Sequence, residues 1–314
     1  MSTLFLGLDI GGTKIAAGVV DASGEVRGYD RQPSEADGPE GVWSAVVRAV
    51  SQATHGAQTD LVRIAGVGVG CGGPMLWPAG IVSPLNLAGW RDFPLRARLA
   101  DWLPGRPVRV HNDAVCFAVG EHWRGALRGA GAALGVVVST GVGGGLLVDG
   151  RVYDGPTGNA GHIGHVVVEP SGPACECGSR GCLEAVARGP AISRWAAEHG
   201  WVSPTKDHTA AQLALDGAAG DPVAIAAFAR AGRALGVALA GVANLLDLDA
   251  VAVGGGVAGA GRLLFEPLGE ELARRVTMTY ARRLAVVPAQ LGPHAGVVGA
   301  AALVAAQDTY WGGD

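Results

Sequence analysis

The sequence predicts an α/β protein made of two similar α/β halves, with a ligand-binding cleft between them. Apolar residues make up 49% of the 314 residues and charged residues 17%, which permits a large core. Apolar runs of strand character alternate with segments of helical periodicity. Each half also opens with a strand, a glycine-rich turn and a second strand. This repetition indicates a duplicated domain, and a cleft between two such halves is a common ligand site.

The first half begins with three consecutive strands. An apolar run over residues 4–10 ends at two glycines, and further strands are predicted over 15–20 and 25–31. The other elements predicted in this half are a helix over 41–53, strands over 63–70 and 108–111, and a helix over 113–127.

The second half repeats this outline with more helices. Asp221 is the expected N-cap of its longest helix, and Pro222 is the expected first residue. Arg230 and Arg233 interrupt the apolar surface of this helix, so we expect a core helix rather than a membrane span. We predict strands over 133–139, 144–148, 151–153, 250–253 and 284–287, and helices over 190–199, 209–216, 221–246, 262–275 and 295–306.

The charge distribution argues against two classes of partner. The formal net charge is −4 and positive charges are not concentrated anywhere, so neither nucleic acid nor an anionic membrane surface is expected as the main partner. The first nine residues lack the basic region and cleavage site of a secretory signal. We therefore expect a cytoplasmic protein.

Three glycine-rich segments are candidates for nucleotide binding. The first is a turn after the opening strand, where backbone N–H groups, a hydroxyl and an ammonium could face phosphate; a plain hairpin turn is the alternative. The second joins two strands of the other half, so the pair could hold a polyphosphate. The third follows a buried strand and could equally serve helix–strand packing. The residues concerned are Asp9, Gly11, Gly12, Thr13 and Lys14; Thr140, Gly141 and Gly143; and Gly254, Gly255 and Gly256.

Asn112 and Asp113 stand where a predicted strand meets a predicted helix. An aspartate at this place commonly caps the helix. It could instead accept a proton from a substrate hydroxyl. Both interpretations are compatible with the local sequence.

The third candidate site is a cluster of metal ligands. His165 is followed ten residues later by Cys175, and Cys177 and Cys182 lie close behind. Three thiolates and one imidazole form a closed tetrahedral zinc site, and closed sites of this type are normally structural. Without a signal peptide, such a local cluster indicates a metal site rather than a disulfide. The two isolated cysteines, Cys71 and Cys116, are expected to be buried thiols without a catalytic role.

Together these segments resemble the ROK family (repressors, open reading frames and kinases), which has the actin/hexokinase-like ATPase fold. The resemblance extends from Leu6 to about Ala306. It is strongest in the pattern Gly161-His-Ile-Gly-His165, followed by Cys175-x-Cys177-Gly-x-x-Gly-Cys182-Leu-Glu184. The resemblance implies a small N-terminal domain of residues 1–113 plus 295–314, to which the final helix returns. A large C-terminal domain of residues 114–294 would carry the zinc motif.

The resemblance also implies an activity and a role for each residue. The protein would phosphorylate a hexose at its 6-hydroxyl with ATP and Mg²⁺, and Asp113 would be the catalytic base. The first two glycine segments would hold the ATP phosphates, with Asp9 near Mg²⁺, and the third would lie against the adenosine. The sugar would be bound by Asn86, Asn112, Asp113, His162, His165 and Glu184, with His165 also binding structural Zn²⁺. A homodimer or homotetramer is expected, since members of this family are often oligomers.

Two positions depart from the family pattern. His162 stands where the family's glucokinases usually carry Glu, near C1 and C2 of the sugar, and His there is similar to bacterial N-acetylmannosamine kinases. Glucose is the first expectation, because it is the frequent substrate in the family, and N-acetylmannosamine, or another N-acetylhexosamine, is the second, because of His162. Pro293-His294-Ala-Gly stands where Asp-Ala-Gly is common in the family, and the sequence gives no physical account of this difference.

Three other classes of protein fit the sequence less well than a kinase. A sugar-sensing repressor of this family would carry a helix-turn-helix before the first glycine turn. Here only eight residues precede Asp9, at the start of that turn, and none of them forms a basic recognition helix. A non-catalytic binding protein has no support, because Asp9, Lys14, Asn112 and Asp113 are all present. A dehydrogenase would need its glycine turn between a strand and a helix, and here a strand follows.

Overall fold

A computed structural model of the chain describes residues 2–34, 38–87 and 89–311. The first five-stranded sheet contains β1 (Leu4–Ile10), β2 (Lys14–Asp21), β3 (Val26–Pro33), β4 (Ile64–Cys71) and β7 (Val108–Asn112), in the order β3-β2-β1-β4-β7. β1 to β3 form an antiparallel meander, whereas β4 and β7 lie parallel to β1. The strands β5 (Met75–Leu76) and β6 (Ile81–Val82) form a small separate hairpin.

Both faces of this sheet are covered by helices. Helix α1 (Gly38–Gly56) packs on one face together with buried residues of β1 such as Leu6 and Leu8. Successive residues of a strand point to opposite faces, so Gly7 meets helix α9 (Ala295–Ala305) on the other face, at the Val297 carbonyl. The remaining helices associated with this sheet are α2 (Leu95–Trp102), α3 (Asp113–Arg124) and α10 (Gln307–Tyr310).

The second sheet repeats the arrangement of the first. It contains β8 (Ala133–Val138), β9 (Val142–Val148), β10 (Arg151–Val152), β11 (Ala250–Gly254) and β12 (Ala285–Pro288), in the order β10-β9-β8-β11-β12. As in the first sheet, two later strands extend the first strand of the meander in parallel. The shared strand order confirms the predicted duplication, and the α/β fold class predicted from the sequence is confirmed.

The helices near the second sheet are α4 (Leu183–Ala187), α5 (Gly189–Glu198), α6 (Ala210–Ala218), α7 (Pro222–Leu246) and α8 (Arg262–Arg275). As predicted, the Asp221 side chain caps α7 by accepting a hydrogen bond from the Ala224 N–H at 2.8 Å. In the described part of the chain, α7 alone has the length and composition of a membrane span, but 61% of its apolar window is buried within the protein. Its small residues pack closely on α8, as expected of a core helix.

The contacts divide the chain into two compact units. The first comprises residues 1–130, 145–160 and 290–314, and the second comprises 131–144 and 161–289. The sequence predicted 1–113 plus 295–314 and 114–294 instead. The ranges differ because α3 packs against α9, where Gly299 touches the backbone of Cys116, so α3 lies within the first unit.

Several elements end at other residues than the sequence predicts. α3 stops at Arg124 rather than at 127, because Gly125 leaves the helical conformation. β9 begins at Val142 rather than at 144, and α1 is longer than predicted at both ends. Helix α2 was not predicted, because its eight residues bury only Leu95 and Leu99 and show little helical periodicity.

Candidate active site

The corner between β7 and α3 places Asn112 and Asp113. Asn112 has an extended backbone, and its side-chain Oδ1 accepts a hydrogen bond from the Ala114 N–H at 2.9 Å. Asp113 is the first residue of the helix, and its Oδ1 accepts from the same N–H at 2.9 Å. Asn112, and not Asp113, therefore occupies the N-cap position.

Asp9 lies at the same edge of the first sheet. The register pairs Asp9 with Gly70 of β4 and Gly70 with His111 of β7, so the carboxyl ends of three parallel strands meet here. The pKa of Asp9 is raised from 3.8 to about 7, mainly by burial and next by the charge of Asp113, while the Lys14 ammonium opposes the shift. Asp113 is thus close enough for its charge to disfavour the ionisation of Asp9.

The first glycine turn lies directly after Asp9. The Gly11 N–H donates to the Lys14 carbonyl at 2.9 Å, which closes the turn, and Thr13 and Lys14 are exposed. A Cβ at Gly12 would lie 2.6 Å from Asn86, so only glycine fits there. The structure therefore places Asn86, predicted to bind sugar, against the glycine turn predicted to bind phosphate.

The second glycine turn is bonded to Glu184 within the second unit. The Ser139 N–H donates to the Gly141 carbonyl at 2.8 Å, which tightens the turn containing Thr140. The Val142 N–H donates to Glu184 Oε2 at 2.8 Å. A Cβ at Gly141 would also lie 2.8 Å from that oxygen, so the carboxylate sits directly on the turn. Gly143 follows within β9.

The third glycine segment packs against the second. Gly255 has a φ of +89°, and a Cβ there would strike the Val138 carbonyl. A Cβ at Gly256 would lie 3.8 Å from the Ser139 hydroxyl. Gly254 ends β11. Close backbone packing alone thus accounts for glycine at position 255, while the segment still lies beside the predicted phosphate turn.

The short 3-10 helix Ile163–His165 carries the two candidate histidines. His162 precedes it and His165 ends it, both are exposed, and their rings are nearly parallel with centroids 6.2 Å apart. A Cβ at Gly164 would collide with the Val142 carbonyl, which holds this helix against β9. The Leu183 N–H donates to the Val166 carbonyl at 2.9 Å, which brings Glu184 to the same region.

His165, Cys175, Cys177 and Cys182 form a compact cluster. One ligand atom from each lies within 4.8 Å of all the others. Cys177 Sγ lies 3.7 Å from Cys182 Sγ, and Cys175 Sγ lies 3.8 Å from His165 Nδ1. Sulfur ligands about 2.3 Å from a tetrahedral zinc ion lie about 3.8 Å apart, so these distances fit zinc. The other ring nitrogen of His165, Nε2, is not needed for the cluster.

The thiols of the cluster differ in their acidity. Burial raises the pKa of Cys175 to about 11, whereas a hydrogen bond from the Ser179 backbone lowers the pKa of Cys177. A divalent cation would favour the thiolate form of every cysteine here, because metal binding displaces the thiol proton. The donor set is therefore suited to a metal ion that displaces the thiol protons.

The segment that carries the cluster is tied to the rest of the second unit. Arg230 of α7 donates to the Glu169 carboxylate at 2.6 Å and lies over the Trp195 ring. The Glu169 N–H donates to the Gly181 carbonyl at 3.1 Å, next to Cys182. Gly181 has a φ of +67° and leaves no room for a Cβ.

Cys71 and Cys116 are buried and unbonded to each other, in agreement with the sequence. Burial raises the pKa of both thiols well above the usual value, and the charges of Asp9 and Asp113 add to the shift. Both thiols therefore remain protonated at neutral pH.

Sequence reasoning missed two contacts near Asp9, Asn112 and Asp113. His111 is bonded to Asp154, 43 positions away, a pairing without any local sequence signal. His294 stacks on Tyr29 of β3 with ring centroids 4.5 Å apart, which gives a packing role to a residue that the sequence left unexplained. Gly296, two positions later, lies against the Asp9 carboxylate.

The predicted site residues thus form two groups, one in each unit. The first unit holds Asp9, Gly11, Gly12, Thr13, Lys14, Asn86, Asn112 and Asp113. The second unit holds Thr140, Gly141, Gly143, His162, His165, Cys175, Cys177, Cys182, Glu184, Gly254, Gly255 and Gly256.

Comparison with known proteins identifies the family. A glucokinase from Streptomyces coelicolor is 35% identical, over 97% of this chain and 98% of its own. An N-acetylmannosamine kinase from Yersinia pseudotuberculosis is 34% identical, over 94% and 96%. The crystal structure of a ROK family glucokinase from Streptomyces griseus, in complex with glucose and AMPPNP, superimposes with a TM-score of 0.82 at 34% identity, covering 96% of this chain and 99% of that one. The sequence model of the ROK family matches residues 5–307, and the chain therefore belongs to the ROK family.

Proposed function

We propose that this protein transfers the γ-phosphoryl group of ATP to the 6-hydroxyl of a hexose, with glucose as the substrate. The observation that carries the proposal is the placement of Asp113 on a capped helix start, close enough to Asp9 to raise its pKa. The similarity to glucokinases over nearly the whole chain supports the same reaction.

Asp113 is the general base of the proposed reaction. It accepts the proton of the sugar hydroxyl as that oxygen attacks the γ-phosphorus, and ADP leaves. The Asn112 side chain accepts a hydrogen bond from the Ala114 N–H and so fixes the first turn of α3, which includes Asp113. Backbone N–H groups of the two glycine turns and the Lys14 ammonium would stabilise negative charge on the phosphates.

Asp9 is the proposed carboxylate beside Mg²⁺. The raised pKa of Asp9 supports a cation at this position. Burial and the charge of Asp113 disfavour the ionised form of Asp9, and a nearby cation would stabilise that form. When bound, Mg²⁺ neutralises charge on the transferring phosphates.

The test of the base is Asp113→Asn in a coupled assay of ADP release. Asn keeps the size and the hydrogen-bond acceptor of the side chain but cannot take the proton. We expect kcat to fall by about 10²- to 10⁴-fold with little change in hexose affinity measured by calorimetry. Asp101→Asn, an exposed carboxylate on α2, is the matched control. Unchanged kcat in Asp113→Asn would remove Asp113 from the mechanism.

N-acetylmannosamine is the second candidate substrate, because of His162. This side chain is exposed beside His165, where a neutral or cationic ring replaces the carboxylate usual in glucokinases of the family. Glucose and N-acetylmannosamine should be compared by kcat/KM in the native protein and in His162→Glu. Preference for glucose in both proteins would support glucokinase activity. A native preference for N-acetylmannosamine that His162→Glu reverses would assign C2 specificity to His162.

A structural zinc ion is proposed at His165, Cys175, Cys177 and Cys182, on the ligand distances given above. Elemental analysis of the purified protein should give one zinc per chain, and Cys177→Ser should lose it. We expect the zinc-free variant to unfold at lower temperature, because the segment from 166 to 182 contains little regular structure of its own. A native protein that contains no zinc after purification without chelators would contradict this proposal.

The location and the assembly remain proposals as well. We infer a cytoplasmic protein that acts without nucleic acid or membrane partners, which the net charge of −4 supports. We also infer a homodimer or homotetramer, on the family resemblance. Light scattering after size exclusion measures the assembly, and a monomeric mass at micromolar concentration would contradict it.

A further inference from the structure

His111 is a buried histidine next to the proposed catalytic corner. It is the penultimate residue of β7, immediately before Asn112 and Asp113, and its side chain is only 1% exposed. β7 is an edge strand of the first sheet, but the His111 ring is buried and needs hydrogen-bond partners, because an unpaired buried polar group is costly.

Both ring nitrogens of His111 have partners. Nδ1 accepts a hydrogen bond from the backbone N–H of Asn112 at 2.7 Å. Nε2 lies 2.6 Å from Asp154 Oδ1. Since Nδ1 accepts, the network assigns the proton to Nε2, which donates it to the carboxylate.

The surroundings of His111 hold the ring in one place. Trp77 and Trp311 lie against it, with ring centroids 5.8 Å and 5.3 Å away. The Asp154 side chain is only 14% exposed, and the Asp154 carbonyl accepts from the Ala160 N–H at 2.9 Å. Bulk water is therefore a poor substitute for either hydrogen bond of the ring.

We propose that His111 is a positioning residue for phosphoryl transfer and that Asp154 orients it, an inference that rests on the proposed function. The hydrogen bonds run from Asp154 through His111 to the Asn112 peptide, and from there to the Ala114 N–H that both Asn112 and Asp113 share. These hydrogen bonds fix the backbone at the corner between β7 and α3, and they thereby orient Asp113. A displacement of a catalytic group by about 1 Å can reduce the rate by about 100-fold.

Two variants separate the two hydrogen bonds of the ring. In His111→Asn the amide oxygen replaces Nδ1 as acceptor for the Asn112 N–H, while the bond to Asp154 is lost. In His111→Gln the terminal amide replaces Nε2 as donor to Asp154, while the acceptor for the Asn112 N–H is lost. Both replacements remove the ring from between Trp77 and Trp311, so the loss of packing is similar in the two.

The experiment measures kcat and KM together with amide hydrogen exchange at Asn112. We expect His111→Gln to lose about 10- to 100-fold in kcat, with KM for ATP and hexose changed less than about 3-fold, and with faster exchange of the Asn112 amide. His111→Asn should keep the amide protected and recover most of kcat. Equal losses in both variants, or native kcat in His111→Gln, would overturn the proposal.

A third variant keeps the proposal testable if both replacements unfold. Asp154→Asn retains an acceptor for the Nε2 proton but removes the charge, so it should fold, and its kcat should fall several-fold without a change in KM. Native kcat in Asp154→Asn would show that Asp154 does not orient His111. Failure of the proposed function is distinguishable, because the unmodified protein would then show no hexose-dependent release of ADP.

Discussion

At the scale of single residues, the acidity of Asp9 links stability to function. The pKa of this carboxyl group is about 7 in the folded protein and about 3.8 in the unfolded chain. At a pH between these values the folded protein keeps the proton, whereas the unfolded chain has released it. Between these two pH values the folded state binds more protons, so the free energy of unfolding decreases as pH rises. The ionised form that Mg²⁺ would favour therefore destabilises the fold in the absence of a cation.

Asp9→Asn should remove this pH dependence. Without Mg²⁺ or ATP, we expect the variant to be more stable than the native protein at pH 8, by up to a few kcal/mol, since one pKa unit corresponds to about 1.4 kcal/mol. At pH 4 the two proteins should be nearly equal. Urea unfolding at both pH values measures the difference, and a difference that does not change with pH would contradict the raised pKa.

At the scale of elements, glycines set how closely α9 packs. Gly7 of β1 and Gly68 of β4 touch the backbone of α9, and Gly299 of α9 touches the backbone of α3. A Cβ at any of these positions would overlap backbone atoms, which cannot move as the end of a side chain can. This close packing brings the start of α9 to the carboxyl end of β1, where Gly296 contacts Asp9.

Gly299→Ala should destabilise the protein by at least about 2 kcal/mol in urea unfolding, because overpacking displaces a helix held on two sides. Gly269→Ala is the matched control on α8, where a Cβ meets nothing within 4 Å. That control should be neutral or stabilising by up to about 1 kcal/mol, since Ala favours a helix over Gly. Similar effects of the two changes would show that the close contact of α9 with α3 is not required.

At the scale of the whole molecule, the first unit is assembled from three separate stretches of chain. The fully buried Glu121 of α3 ties the last of these stretches to the first. Its carboxylate accepts hydrogen bonds from the backbone N–H groups of Ala126, Gln290 and Leu291, at 2.8 to 3.1 Å. These three hydrogen bonds to one buried side chain hold the segment that leads into α9.

Glu121→Ala should lower the free energy of unfolding by about 3 kcal/mol or more, because it leaves buried N–H groups unpaired and a cavity behind. Glu121→Gln should cost less, since the amide oxygen still accepts. The exposed Glu270 on α8 provides a control in Glu270→Ala, for which we expect a change within about 0.5 kcal/mol. A small effect of Glu121→Ala would mean that water replaces the carboxylate.

Much of the candidate site was predictable because its signals are local. The spacing of His165, Cys175, Cys177 and Cys182 predicted a cluster of candidate metal ligands, and the structure brings one atom of each within 4.8 Å of the others. The strand–turn–strand pattern located both glycine turns. The sequence left open whether Asp113 caps its helix or accepts a proton from a substrate hydroxyl; the backbone geometry assigns the N-cap position to Asn112.

By itself the sequence determined the α/β class, the duplication, the glycine turns and the candidate metal ligands, because periodicity and short-range spacing encode them. Only the tertiary structure decided that α3 belongs to the first unit, that Asn86 lies on Gly12, and that Asp154 bonds His111. These contacts join residues tens to hundreds of positions apart. Their geometry depends on how whole elements pack, and no pattern of neighbouring residues specifies it.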